Sequence, residues 1–161
     1  MSTDLNDKDL SAARTARWHK AFSAGEDWAG QQESRLVKTN RKATIVIEYL
    51  MQASYISHTM QHYSVFSKWD KKFFHERYKA YKAGRLDQDP ADEWYDGRTE
   101  FFDNFVLPLA KKLFACGVFG TCSDELLNYA VNNRKEWVER GDASVKKYID
   151  AVSSSSAPPS Y

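Results

Sequence analysis

Between Ala43 and Met60 apolar residues crowd the chain: Ile45, Val46, Ile47, Tyr49, Leu50, Met51, Ala53, Ile56 and Met60. Thr44, Glu48 and Gln52 recur every fourth residue as a narrow polar stripe. The β-branched run from Thr44 to Ile47 is compatible with a strand, but the length of the segment predicts a helix. A helix so apolar around its axis is expected to be central and buried. Val65 to Lys82 gives a second helical pattern, with Phe66, Trp69, Phe73 and Tyr81 on or near one stripe and Phe74–Tyr78 as an i,i+4 pair. Gly84 ends it as a C-terminal breaker. Residues 85–97 read as a loop, opened by the turn at Asp89-Pro90 and closed by Gly97. Thr99 to Phe114 predicts a third helix with Phe101, Phe102, Phe105, Val106, Leu109 and Leu113 inward, and Pro108 inside it predicts a kink or a missing backbone bond. Cys116-Gly117-Val118-Phe119-Gly120 reads as an ordered turn. Ser123-Asp124-Glu125 caps a further helix, from Asp124 to about Arg140. Gly141 stops that helix, and Ala143 to Val152 adds a final turn or two. The expected fold class is all-α, a compact bundle of four or five helices.

Three regions follow. Residues 1–40 are sparse in apolar side chains and interrupted by Gly25, Gly30, Gln31 and Gln32. They are expected to form a loosely packed arm with one short helix ending at Phe22, whose i,i+4 partners Trp18 and Phe22 dock on the core, with Trp28 available to cover more of it. Residues 41–152 carry the helical domain. Residues 153–161, SSSSAPPSY, read as a flexible tail.

Composition changes this picture little. A chain of 161 residues suffices for one domain with a real core. With 23 basic against 22 acidic residues, nothing demands nucleic acid or an anionic membrane. No apolar run approaches the ~20 residues of a membrane span. Met1 to Asp9 is polar and acidic, unlike a signal peptide. An intracellular, cytoplasmic protein is expected. Cys116 and Cys122 are either a disulfide or two thiols; in the cytosol free thiols are expected, and no neighbouring His or Cys makes them a zinc pair.

Several segments, in order, carry a resemblance: Arg41-Lys42-Ala43-Thr44-Ile45-Val46-Ile47-Glu48, then Gln52-Ala53-Ser54-Tyr55-Ile56-Ser57-His58-Thr59-Met60-Gln61-His62-Tyr63, Phe101-Phe102-Asp103, Leu107-Pro108-Leu109-Ala110-Lys111-Lys112-Leu113 and Cys116-Gly117-Val118-Phe119-Gly120. From about Arg41 to Arg140 the chain resembles the C-terminal part of the catalytic domain of class I 3′,5′-cyclic nucleotide phosphodiesterases, closest to the forms of algae and other protists. The resemblance implies the C-terminal helical subdomain of that fold. It also implies a family reaction in signal transduction: hydrolysis of 3′,5′-cyclic nucleotides to 5′-nucleotides by a hydroxide held between two divalent cations, zinc and magnesium.

Checked residue by residue, the metal set implied by the resemblance is not found here. Neither the H-N-x-x-H motif nor any His-Asp dipeptide occurs, and His19, flanked by Trp18 and Lys20, fits neither. Tyr55 stands where the family carries its last metal-binding aspartate. A carboxylate holds a hard cation, whereas a phenol keeps its proton near neutral pH and is a poor ligand. In the nucleotide pocket Arg98 falls at the purine-binding glutamine, which it cannot replace because a guanidinium only donates. Phe101 falls at the stacking phenylalanine, and equally reads as a core aromatic. Trp94 and Tyr95 read either as a lid over the pocket or as packing anchors.

Two other constellations carry candidate chemistry. His58 and His62, i,i+4, would share a helix face and could bind zinc with a third ligand such as Glu48 or His75; a hydrogen-bonded structural pair is the expected reading. Lys68, Lys71, Lys72, Arg77, Lys79, Lys82 and Arg85, interleaved with aromatics, could bind nucleic acid, but a solvated helix face is expected. The expected function is a partial, degenerate phosphodiesterase domain, inactive as this chain and without metal cofactors. The alternative is a helical interaction or nucleotide-binding module docking on itself or on an intact phosphodiesterase, through an apolar face left between Ile45 and Ile56.

Overall fold

The computed structural model describes residues 8–22, 35–122 and 124–154, so expectations for Trp28, the glycines and glutamines near it, Ser123 and residues 155–161 lie outside the described residues. The fold is a compact all-α bundle, with no strand among the described residues. Helix α1 spans Lys8–Phe22 and α2 spans Arg35–Tyr55, followed by a 3₁₀ turn, Ser57–Met60. Then come α3 (Tyr63–Lys82), α4 (Pro90–Phe101), a π turn (Phe102–Val106), α5 (Leu107–Cys116) and α6 (Glu125–Ser154).

Helix α6 takes the central place, packing against α3, α4, α5 and the 3₁₀ turn. Its Trp137 is fully enclosed and meets Phe66 edge-on, with ring centres 5.7 Å apart; Phe66 meets Phe102 in the same way at 5.2 Å. Enclosing one such ring contributes roughly 1.5–3 kcal/mol, and the edge-to-face geometry suits the ring quadrupoles. Gly141 does not stop α6, which runs on to Ser154. With no Cβ, this mid-helix glycine lets the Tyr95 ring press onto the backbone: a Cβ there would stand 2.8 Å from Tyr95 Cδ2 and 2.9 Å from Trp137 Cε2. Close packing outweighs the helix-breaking tendency of glycine. Ser153 and Ser154, read above as tail, are the last residues of the same helix.

Helix α2 is not central. It packs mainly against α1 and α5, burying Ile45, Tyr49, Gln52 and Ala53. Its opposite face carries Ile47, Met51 and Tyr55, one turn apart and exposed. Both faces are apolar, which the sequence pattern could not tell from full enclosure. Trp18 and Phe22 of α1 do dock here: their rings stack at 4.2 Å and Trp18 meets Tyr49 edge-on at 5.1 Å.

The loop expected over residues 85–97 is short. Gly84, at φ +68°, turns the chain after α3, but α4 already begins at Pro90. Asp89 Oδ1 accepts the Ala91 N–H at 2.9 Å, Pro90 needs no hydrogen-bond acceptor in the first turn, and Asp92 and Glu93 face the positive end of the helix. Pro108 is accommodated without a break: the widened π turn just before it absorbs the missing N–H, and α4, the π turn and α5 follow one another without a loop.

Candidate functional site around Arg98

The buried line of α3 runs Phe66, Asp70, Phe74, so a carboxylate is enclosed between two aromatic turns. Trp69 and Phe73, placed on or near the same stripe as Phe66 by the sequence pattern, are about half exposed. A buried carboxylate needs a cation and donors nearby. Helix α4 supplies both from one face: Trp94 Nε1 donates to Asp70 Oδ2 at 3.2 Å, and Arg98 Nε lies 2.6 Å from Asp70 Oδ1. The Arg98 contact is a close ion pair. Burial raises the Asp70 carboxyl above its ordinary value, and the Arg98 charge opposes that rise. Burial likewise raises Tyr148, assisted by the Asp70 charge.

The Arg98 guanidinium is also walled by rings, its central carbon 4.5 Å from the centre of Trp94, 4.8 Å from Phe73 and 5.8 Å from Phe101. Phe101 is half-buried and packs on Phe105 at 5.7 Å. The structure therefore brings Arg98 and Phe101 together, one turn apart on α4. Beside Arg98 a cleft of about 230 Å³ opens between the end of α3 and the start of α4, lined by Phe73, Arg77, Gln88, Glu93 and Trp94. Chemically this is a stacking ring beside guanidinium donors, one of which is already committed to Asp70. Trp94 and Tyr95 form no lid: both lie on α4, Trp94 buried against Asp70 and Tyr95 stacked on Trp137 with ring centres 6.1 Å apart.

His58 and His62 do not share a helix face. The helix ends at Tyr55, leaving His58 in the 3₁₀ turn and His62 at the N-cap of α3. His62 is exposed, and its Nδ1 accepts the Ser64 N–H at 3.2 Å, with Ser64 Oγ at 2.9 Å. His58 is half-buried with its ring centre 6.4 Å from Trp69; burial, then the Arg98 charge, holds it below the ordinary histidine range. Glu48 is taken by Arg17 at 2.7 Å. Tyr55 lies on the outer face of α2, 65 % exposed. Among the described residues no three His, Cys, Asp or Glu converge as metal ligands. The donors at and around position 55 do not fit a centre for two hard divalent cations.

The side chains of the basic run are exposed, as a solvated helix face requires. Cys116 and Cys122 are free thiols, as expected. The sequence reading missed Asn133 of α6, whose buried Nδ2 donates to the carbonyls of Thr59 at 2.9 Å and Gln61 at 2.7 Å and so holds the 3₁₀ turn bearing His58. It also missed Asp70, although a carboxylate in the i,i+4 line Phe66–Asp70–Phe74 was a signal. No described helix is long and apolar enough to cross a membrane. No family model, no curated protein and no solved structure matches this chain.

Proposed function

We propose that this chain is a partial and degenerate cyclic nucleotide phosphodiesterase domain that does not itself hydrolyse cyclic nucleotides. The reading rests on the ordered segments between Arg41 and Arg140. The observation that carries its inactive half is Tyr55: a phenol on the outer face of α2 at the position where the resemblance requires a metal-binding aspartate. The state of Arg98 supports the same reading. At the place of a glutamine that would pair with a purine there is a donor-only side chain already engaged by Asp70. In this reading the chain works in the cytoplasm as a signalling pseudoenzyme. Incubation with cyclic AMP or cyclic GMP in the presence of magnesium and zinc is expected to yield no 5′-nucleotide above the buffer rate; turnover of either would refute the reading.

A second reading is favoured by one observation, the exposed line Ile47, Met51 and Tyr55 on α2. An exposed apolar stripe of that length suits an interaction module, docking on a second copy or on an intact phosphodiesterase. Residual nucleotide binding at Arg98 and Phe101 belongs to the same reading. A thermal shift with cyclic nucleotide that disappears in Phe101→Ala would support such binding, and no shift would remove it.

A further inference from the structure

The cleft between the end of α3 and the start of α4 holds groups that the nucleotide reading does not use. Its two sides carry opposite charge: Arg77 stands on α3 and Glu93 on α4, and both line the same space of about 230 Å³. Both side chains are exposed, and they form no ion pair with each other or with another described residue. Asp89 adds a second carboxylate on the α4 side, with Oδ1 engaged by the Ala91 N–H at 2.9 Å. Arg98 also reaches the cleft, but Asp70 meets its charge and Trp94 and Phe73 cover it, so it adds no free charge there. The Phe73 ring, 5.5 Å from that of Trp94, is 45 % exposed, which leaves aromatic surface open on the cleft wall. Gly97 lines the cleft too, one turn beyond Glu93 on the same face of α4. A mid-helix glycine weakens its helix relative to alanine. Rings press on Gly141 and account for it, whereas a Cβ at Gly97 would meet nothing within 4 Å. Packing within the fold therefore gives no reason for bare backbone at this point of the cleft.

A simple anion entering the cleft would meet Glu93 and Asp89, and a simple cation would meet Arg77. A ligand bearing both charges suits both sides. A guanidinium takes a carboxylate through two parallel N–H donors, and a carboxylate takes an ammonium. In a free α-amino acid these two groups share one carbon, and the side chain is left for the aromatic wall, where ring–ring contact is favourable. The space lies below the roughly 300–1,000 Å³ of pockets for drug-sized ligands, as a molecule of this size requires. We propose that the cleft binds a free α-amino acid with an aromatic side chain, its carboxylate on Arg77, its ammonium on Glu93 and its ring on Phe73, over the bare backbone at Gly97. This site stands whether or not the chain derives from a phosphodiesterase.

The test is calorimetric titration of the full chain with L-phenylalanine and with L-tryptophan. N-acetyl-L-phenylalanine, which lacks the ammonium, and L-phenylalanine amide, which lacks the carboxylate, are titrated beside them. At least one of the free amino acids is expected to bind, one molecule per chain. Each blocked derivative should bind roughly tenfold or more weakly, the equivalent of one charge-assisted hydrogen bond. Arg77→Gln and Glu93→Gln should each weaken binding by a similar factor, and Lys79→Gln, exposed on α3 outside the cleft, should not. Gly97→Ala separates the site from the fold. Its methyl group favours the helix and should raise the urea midpoint, yet it occupies the ligand's space and should abolish measurable binding. Binding of neither amino acid, equal binding of the blocked derivatives, or binding undiminished in Gly97→Ala and Glu93→Gln would overturn the proposal.

Discussion

Arg98 and Asp70 form an ion pair in which both side chains are largely enclosed, Nε to Oδ1 at 2.6 Å, joining α3 to α4. Trp94 donates to the other carboxylate oxygen, and the rings of Trp94 and Phe73 cover the guanidinium. Removing the cation leaves a carboxylate stranded among aromatics. Arg98→Met is therefore expected to lower stability by about 3–5 kcal/mol. The double variant Arg98→Met, Asp70→Leu should cost less than Arg98→Met alone. Urea denaturation of the set measures this, and a mild single-variant effect would mean that the pair is ornamental to the fold.

The histidine beside that pair makes stability depend on pH. His58 has a folded value below the ordinary 6.5, because of burial first and the Arg98 charge second. Between the two values the unfolded chain binds more protons, so stability rises with pH there. The contribution of His58 is present above 6.5 and lost as pH falls through its folded value. Asp70, raised by burial, acts in the opposite sense, losing stability as pH rises through its folded value. His75, lowered by burial and then by Lys71 and Lys79, acts as His58 does. Comparing the natural chain with His58→Gln cancels both backgrounds. The variant should lose less stability on acidification from about pH 7 to about pH 5, as read by the urea midpoint; parallel profiles would contradict the assignment.

Gly141 offers a test of close packing against helix propensity. Alanine would gain about 1 kcal/mol of intrinsic preference in the middle of α6. Its methyl group, however, would stand 2.8 Å from the Tyr95 ring. Overpacking of that kind costs about 1–3 kcal/mol, so Gly141→Ala is expected to lower the melting temperature. A rise would show that Tyr95 moves aside freely.

The outer face of α2 bears on association. Ile47→Lys with Met51→Lys replaces exposed apolar surface by charge without touching the buried face. The double variant should fold as the natural chain does, with stability changed by no more than about 0.5 kcal/mol. Light scattering should show loss of whatever self-association the natural chain has; association unchanged by both lysines would remove this face from the second reading.

How much of this was legible beforehand differs by element. The helical class and the docking of Trp18 and Phe22 follow from spacing alone. The start of α4 was also written in the chain, since Asp89-Pro90 followed by Asp92 and Glu93 is a helix entry as much as a turn. The two patterns diverge only in what comes next. The helical gap after Tyr55 was hidden, because the Thr59 and Gln61 carbonyls find their partner in Asn133, more than 70 residues away. No local signal encodes such a bond. Gly141 was misread for the same reason: what it accommodates, the Tyr95 ring, comes from another helix. At the site, Arg98 and Phe101 came from resemblance. The partner that ties Arg98 down required a carboxylate inside an aromatic line to be taken as a buried charge seeking a cation.

The proposed account depends most on whether position 55 and its surroundings can grip paired cations. The direct measurement is metal content by elemental analysis after the purified full chain is dialysed against zinc and magnesium and then against metal-free buffer. The account predicts well under one equivalent of either ion per chain. Two retained equivalents, reduced in variants at His58 or His62, would contradict it.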